Sequence, residues 1–106
     1  MIDLKKMMLD IRHDPHEQQF TLPLKGTANA ELKYRILERE KVDVMDFTHT
    51  FVPEELRNQG IGRAIVRNGV QYARKKGYKV RGTCPFVESF LDEHPEYEAI
   101  RDKRRA

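Results

Sequence analysis

The spacing of apolar residues changes once along this chain, from a period of two to a period between three and four. In residues 30–36 apolar side chains fall at every second position, with Glu31, Lys33 and Arg35 between them. That alternation predicts a strand with one buried and one wet face. Phe20, Leu22 and Leu24 repeat the spacing, and Lys25-Gly26 closes the run with a turn signal. Pro23 within it cannot donate a ladder hydrogen bond, so this strand is expected at a sheet edge or a bulge. Residues 42–52 form a longer candidate. Met45, Phe47, His49 and Phe51 would line one face, and Val44, Asp46, Thr48, Thr50 and Val52 the other. Its β-branched and aromatic residues favour a strand, and Pro53 ends it. Residues 11–13 suggest a short first strand, while residues 1–10 carry no decisive pattern.

From Gly60 to Lys76 the period is helical. Ile61, Ala64, Ile65, Tyr72 and Ala73 recur at three- and four-residue steps, and Arg63, Arg67, Arg74 and Lys75 fall largely off that stripe. Lys76-Gly77 gives a basic last turn and a glycine C-cap. Residues 78–84 read as a short strand closed by Pro85, and Phe86, Val87, Phe90 and Leu91 mark a second helix that Pro95 breaks. The order is several antiparallel strands, then strand, helix, strand, helix. A crossover helix between Val52 and Tyr78 requires a parallel strand pair at that point. The expected fold is α+β, with a mixed, mostly antiparallel sheet.

Composition narrows the class. The chain has 106 residues, which fits one small domain spanning residues 1–106. With 39% hydrophobic and 35% charged residues it can form a core, though a thin one. Residues 18–24 and 47–53 are the longest stretches free of Asp, Glu, Lys and Arg, far short of the roughly 18 apolar residues that suggest a membrane span. The first residues lack the apolar run of a secretory signal. A single cysteine excludes an internal disulfide and a cysteine-held zinc. These features point to a cytoplasmic domain that engages no membrane. Charge is uneven: residues 1–53 hold 8 basic and 9 acidic side chains, and residues 54–106 hold 12 and 8. A basic half suggests an anionic partner, either nucleic acid or a phosphorylated small molecule. The plain alternative is a solvated helix face.

One segment carries recognisable chemistry. In Arg57-Asn58-Gln59-Gly60-Ile61-Gly62-Arg63 a strand has just ended and two glycines open a helix. Without a Cβ, Gly60 and Gly62 let backbone N–H groups approach a ligand closely. A helix N-terminus adds unpaired donors and the positive end of its dipole, which suits a phosphate. The segment is not a P-loop, since Lys-Ser/Thr does not follow the glycines, and it lacks the third glycine of a dinucleotide fingerprint. An ordinary loop with glycines for turn geometry is the alternative.

Arg57-Asn58-Gln59-Gly60-Ile61-Gly62 matches the Gln/Arg-x-x-Gly-x-Gly/Ala signature of the GNAT superfamily, the acetyl-CoA-dependent N-acetyltransferases. The chain resembles the minimal GNAT-like proteins that lack the usual first helices. The resemblance runs through His49-Thr50-Phe51-Val52, Gly77-Tyr78-Lys79-Val80, Cys84-Pro85-Phe86-Val87 and His94-Pro95-Glu96-Tyr97, and covers residues 11–100. It implies a GNAT-like fold and an acetyl-CoA site. The coenzyme A pyrophosphate would be held by backbone amides of the turn, giving Val52, Arg57, Asn58, Gln59, Gly60, Ile61, Gly62 and Arg63 as the binding set. It implies transfer of the acetyl group to an amine-bearing acceptor, a small molecule or a protein.

The resemblance also places Cys84 beside a ligand cleft between two splaying parallel strands. A cysteine can accept an acyl group if a local field favours its thiolate, and Arg81 or a helix start would supply one. A lone cysteine is otherwise a small buried hydrophobe. His49, on the strand that enters the cleft, is the candidate base, or else a hydrogen-bonded core histidine. Tyr97 is a candidate acid for the departing thiolate, with packing as its alternative. His13 and His16 lack a third ligand for a metal. Two other functions compete with acetyl transfer. One is coenzyme A binding without catalysis. The other is nucleic-acid binding by the basic half, which is weakened because no aromatic-rich basic strand or helix-turn-helix pattern is present.

Overall fold

The alternation at residues 30–36 builds the strand it predicts. In a computed structural model, which describes residues 3–103, β3 (Ala30–Leu37) buries Ala30, Leu32 and Tyr34 and leaves Lys33 and Arg35 exposed. Two shorter strands precede it, β1 (Arg12–Asp14) and β2 (Gln19–Leu22), after a short helix α1 (Leu4–Met8). β4 (Val44–Phe51), helix α2 (Ile61–Lys76), β5 (Lys79–Gly82) and helix α3 (Pro85–Glu93) follow. Short 3-10 helices cover Glu54–Leu56 and Pro95–Ile100. The strands form one sheet in chain order, antiparallel from β1 to β4 and parallel between β4 and β5. The mixed, mostly antiparallel sheet and its crossover helix are as the sequence implies.

β2 departs from expectation. It lies inside the sheet, between β1 and β3. The strand stops at Leu22, so Pro23 falls just beyond the ladder and its missing N–H costs nothing.

Helices α2 and α3 pack on one face of the sheet. α2 buries Ile61, Ala64, Ile65, Val66, Gly69, Val70 and Ala73. Tyr72, expected on that stripe, is only half-buried, while Val66, Gly69 and Val70 join the core. With two glycines in its length, α2 has poor intrinsic propensity. Burial, about 1.5–3 kcal/mol for each fully covered Val, Leu or Ile, is what holds it. α3 contributes Val87, Phe90 and Leu91 and lies beside α2. Arg63 Nη2 meets Glu93 Oε2 at 2.7 Å between the helices, and the Arg67 guanidinium sits 5.6 Å from the centre of the Phe90 ring.

The outer edge of β5 is covered by Arg101 and Asp102. Arg101 bridges Val80, and the Asp102 N–H donates to the Val80 carbonyl at 2.8 Å. Among the described residues the opposite face of the sheet is the more open one at β3, where Lys33 and Arg35 are exposed.

Candidate functional site

Two devices force β4 and β5 apart. The register runs from Val44↔Lys79 to Phe47↔Gly82, and the last tie is the Cys84 N–H to the Phe47 carbonyl at 3.0 Å. On the other side of β4 the register with β3 shifts, Lys33↔His49 being followed by Tyr34↔Phe47. Thr48 is therefore an extra residue, a β-bulge that bends β4 where its pairing with β5 ends.

The bulge also corrects the expected faces of β4. Strict alternation puts His49 beside Phe47, yet one inserted residue flips everything beyond it. Thr50 pairs with the buried Leu32 and so shares the helix-covered face with Phe47, while His49 pairs with Lys33 and is exposed on the open face. Cys84 is on the helix side. Its Sγ lies 3.6 Å from Thr50 Oγ1, and the residue is 8% exposed. The two candidate catalytic residues, His49 and Cys84, are thus on opposite sides of the sheet.

Beyond the fork lies an open cleft of about 370 Å³. Thr50, Phe51 and Val52 form its β4 wall, Phe86 of α3 stands opposite, and Leu56, Arg57, Asn58 and residues 60–63 form its end. Of the sequence-derived binding set, only Gln59 is outside this lining. Asn58 and Gly60 both have left-handed backbone, with φ of 66° and 86°. The first bond into α2 runs from the Ala64 N–H to the Gly60 carbonyl. Among the described residues, no backbone hydrogen bond is donated by the N–H groups of residues 58–63. These donors gather at the positive end of a helix, which is what an anion requires.

The two arginines are already oriented. Arg57 Nε donates to the Val52 carbonyl at 2.9 Å, capping the end of β4 and holding its guanidinium at the cleft mouth. Arg63 reaches Glu93 across the helix pair. Arg81 is the register partner of Asp46, on the face opposite α2 and α3, and its guanidinium approaches Asp102 at 3.9 Å. It faces away from Cys84.

Tyr97 is buried against α2 and α3. Its ring stacks near Phe90, and its hydroxyl accepts from Gln71 Nε2 at 3.4 Å. His13 stacks on Phe20, with ring centres 4.3 Å apart, and its Nε2 lies 2.6 Å from the Tyr34 hydroxyl. Burial lowers its pKa below the ordinary 6.5, Asp14 opposes that and Lys76 adds to it. Burial likewise pushes the Tyr34 phenol up to about 12. None of these three side chains lines the cleft.

Two residues at the site escaped sequence reasoning. Phe86 is 43% exposed although it begins an amphipathic helix, because it faces the cleft. Asp46 is 0% exposed, with both carboxylate oxygens engaged at the fork. A carboxylate in the middle of an apolar strand was the available signal.

A sheet of this order, forked between β4 and β5 with a donor-lined turn opening the crossover helix, defines an acyltransferase-like fold. The sequence profile of GCN5-related N-acetyltransferases matches residues 19–100, and the chain belongs to that family. Protein NATD1 of Danio rerio is 29% identical over 92 residues, covering 84% of this chain and 81% of the relative. Protein NATD1 of Homo sapiens is 27% identical over 86 residues, covering 80% and 74%. A GCN5-like protein from Staphylococcus aureus, solved in solution by NMR, superposes with a TM-score of 0.65 at 26% identity, over 92% of this chain and 91% of that one. Among the described residues, no helix is long and apolar enough to cross a membrane.

Proposed function

We propose that this protein binds acetyl-CoA in the cleft between β4 and α3 and passes its acetyl group to an amine. The observation that carries this reading is the continuity of the site. Free amide donors of Asn58 and residues 60–63 stand at one end of a cleft whose β4 wall runs to Thr50, beside Cys84 at the fork. A pyrophosphate and a thioester separated by an extended arm need those two ends. Acetyl-CoA supplies the acetyl group, activated as a thioester. The amine forms a C–N bond to its carbonyl carbon, the C–S bond breaks, the amine loses a proton and the coenzyme thiolate takes one up.

The chain's own part in this is positional. The amides and the Arg57 guanidinium bind the phosphates. Phe86 and Val52 enclose the arm and exclude water. Thr50 lines the end nearest the fork, with Cys84 Sγ 3.6 Å behind its hydroxyl. His49 faces solvent on the other side of the sheet, where an acceptor amine approaching through the fork would meet it, and there it is the group suited to take the amine's proton.

Calorimetry with acetyl-CoA and with coenzyme A tests the binding step, and a thermal shift follows from mass action if either binds. The competing reading is nucleic-acid binding by the basic half, for which oligonucleotides should bind with a steep salt dependence. Salt-sensitive oligonucleotide binding together with no response to acetyl-CoA would reverse the assignment.

A further inference from the structure

Asp46 is the only polar or charged residue of the described chain in the fully buried class. It sits on β4, one residue before the last residue paired with β5. Its Oδ1 accepts the Thr83 N–H at 3.1 Å, and its Oδ2 accepts the Thr83 hydroxyl at 2.8 Å. Arg35 Nε, directly opposite on β3, donates to Oδ2 at 2.9 Å. A buried carboxylate is costly to desolvate, and these three donors are its compensation. Arg35 is 56% exposed and supplies countercharge from the rim. Thr83 is different, because it is the residue between the end of β5 and Cys84.

We infer that Asp46 is a positioning residue for the acyl site: it clips Thr83 to β4 and thereby fixes where the strands separate. This rests on the acetyl-CoA reading above for its functional consequence, though not for its structural one. Beyond Gly82 there is no strand ladder to hold residues 83–84; among the described residues their hydrogen bonds to β4 are the two from Thr83 to Asp46, the Cys84 N–H to the Phe47 carbonyl, and the longer Cys84 Sγ to Thr50 Oγ1 contact. The position of Cys84 then sets where α3 begins, and with it where Phe86 stands across the cleft. Asparagine cannot replace the carboxylate fully. One oxygen could still accept the Thr83 N–H, but the amide nitrogen would face Arg35, two donors in one gap.

The single cysteine reports on the clip. At 8% exposure Cys84 should react slowly with an aromatic disulfide reagent, and opening the fork should expose it. The experiment measures that labelling rate, with coenzyme A affinity by calorimetry, in the full chain and in four variants. Asp46→Ala and Thr83→Val weaken or remove the clip, and Thr83→Ser preserves it. Val44→Ala is the control, a buried residue on the same strand whose β5 register partner is Lys79, four residues before Thr83. We expect labelling about tenfold faster in Asp46→Ala, severalfold faster in Thr83→Val, and unchanged in Thr83→Ser and Val44→Ala at equal distance below each melting temperature. Coenzyme A affinity should fall in the same order.

Equal labelling in wild type and Thr83→Val, or equal acceleration in Val44→Ala, overturns the inference. If Asp46→Ala does not fold, the two threonine variants decide alone. If wild type binds no coenzyme A, the proposed function fails, while the labelling order still decides whether Asp46 holds the fork.

Discussion

Gly62 and Phe86 face each other across the cleft with no room for a side chain between them. A Cβ at Gly62 would lie 3.0 Å from Phe86 Cζ and 3.5 Å from Val52 Cγ2. Gly62 is at the second position of α2, so helix propensity favours replacement by alanine, yet the new methyl group would push the Phe86 ring off Gly62 and so displace a wall of the cleft. Gly62→Ala should fold with an unchanged or slightly raised melting temperature and bind coenzyme A about tenfold more weakly. Phe86→Ala in that background should recover part of the affinity, since the two sites share one gap. Calorimetry on the two single variants and the double variant checks both. Additive losses would show that the residues do not meet over the ligand.

At Gly60 the constraint is conformational. Its φ is 86°, and an added Cβ would also come within 3.0 Å of Leu4 Cδ1 on α1. Leu4 is the flexible end of a half-buried side chain and can give way; the backbone cannot. Gly60→Val should lose about 1–2 kcal/mol of stability and weaken coenzyme A beyond that loss, because the turn that aims the amides is distorted. Gly60→Asn should be milder, since asparagine tolerates left-handed backbone. Leu4→Ala should not rescue the valine variant in urea melts. Rescue would place the cost in the α1 contact instead.

The fold was legible wherever one period governed a segment. Residues 30–36 and 61–76 show their buried faces directly, and the parallel pair followed from the crossover helix. β4 was misread beyond Phe47 because a bulge adds a residue without changing composition. Thr48 looks like any strand threonine, and its effect exists only in the pairing with β3. That single shift moved His49 from the cleft side to the open face. The turn that opens α2 was legible from its glycines, as was the place of Cys84 after the second parallel strand. Asp46 was not, because its partners Thr83 and Arg35 are 37 and 11 residues away and nothing local pairs them.

Gly69 marks the closest approach of α2 to the sheet. A Cβ there would sit 2.7 Å from Leu32 Cδ2 and 3.0 Å from Phe47 Cε1. Alanine gains about 1 kcal/mol of helix propensity over glycine, while overpacking a core costs about 1–3 kcal/mol. Both neighbours are fully buried, so the clash should win. Gly69→Ala is expected to destabilise by about 1 kcal/mol in urea denaturation, and Leu32→Val in the same chain should offset part of that loss. A stabilised Gly69→Ala protein would mean that the helix lifts off the sheet without penalty.

His13 makes stability depend on pH. Burial lowers its pKa in the folded protein below the 6.5 of the unfolded chain. As pH falls below 6.5 the unfolded chain takes up its proton first, so stability declines from there until the lowered folded value is passed. Above 6.5 the contribution is fully present. Tyr34 gives the alkaline counterpart: with its phenol pushed up to about 12 from 10.0, stability should fall as pH rises from 10 toward 12. Urea midpoints of wild type and His13→Gln, compared between pH 7.5 and about 5, should converge on the acid side as the wild type loses its advantage. Parallel curves would remove His13 from the account.

Cys84 invites a covalent mechanism, and its surroundings argue against one. A reactive thiolate needs a nearby positive field. Arg81, three residues earlier, lies on the opposite face of the sheet and approaches Asp102. Cys84 is the N-cap of α3, but its side chain makes no capping hydrogen bond to that helix and instead meets the Thr50 hydroxyl at 3.6 Å. The thiol is nearly buried, and the residue's backbone is what the fork uses, through the bond to the Phe47 carbonyl. Direct attack by an amine on a thioester also requires no protein nucleophile. Serine keeps the hydrogen-bonding partner and nearly the same volume. Cys84→Ser should therefore retain coenzyme A affinity within about threefold and most of any acetyl transfer, with a small loss of stability from placing a hydroxyl in an apolar wall. Mass spectrometry of the intact wild type after incubation with acetyl-CoA is the direct check. A stoichiometric acetyl adduct on Cys84, discharged by an amine at the turnover rate, would establish the covalent route and defeat this prediction.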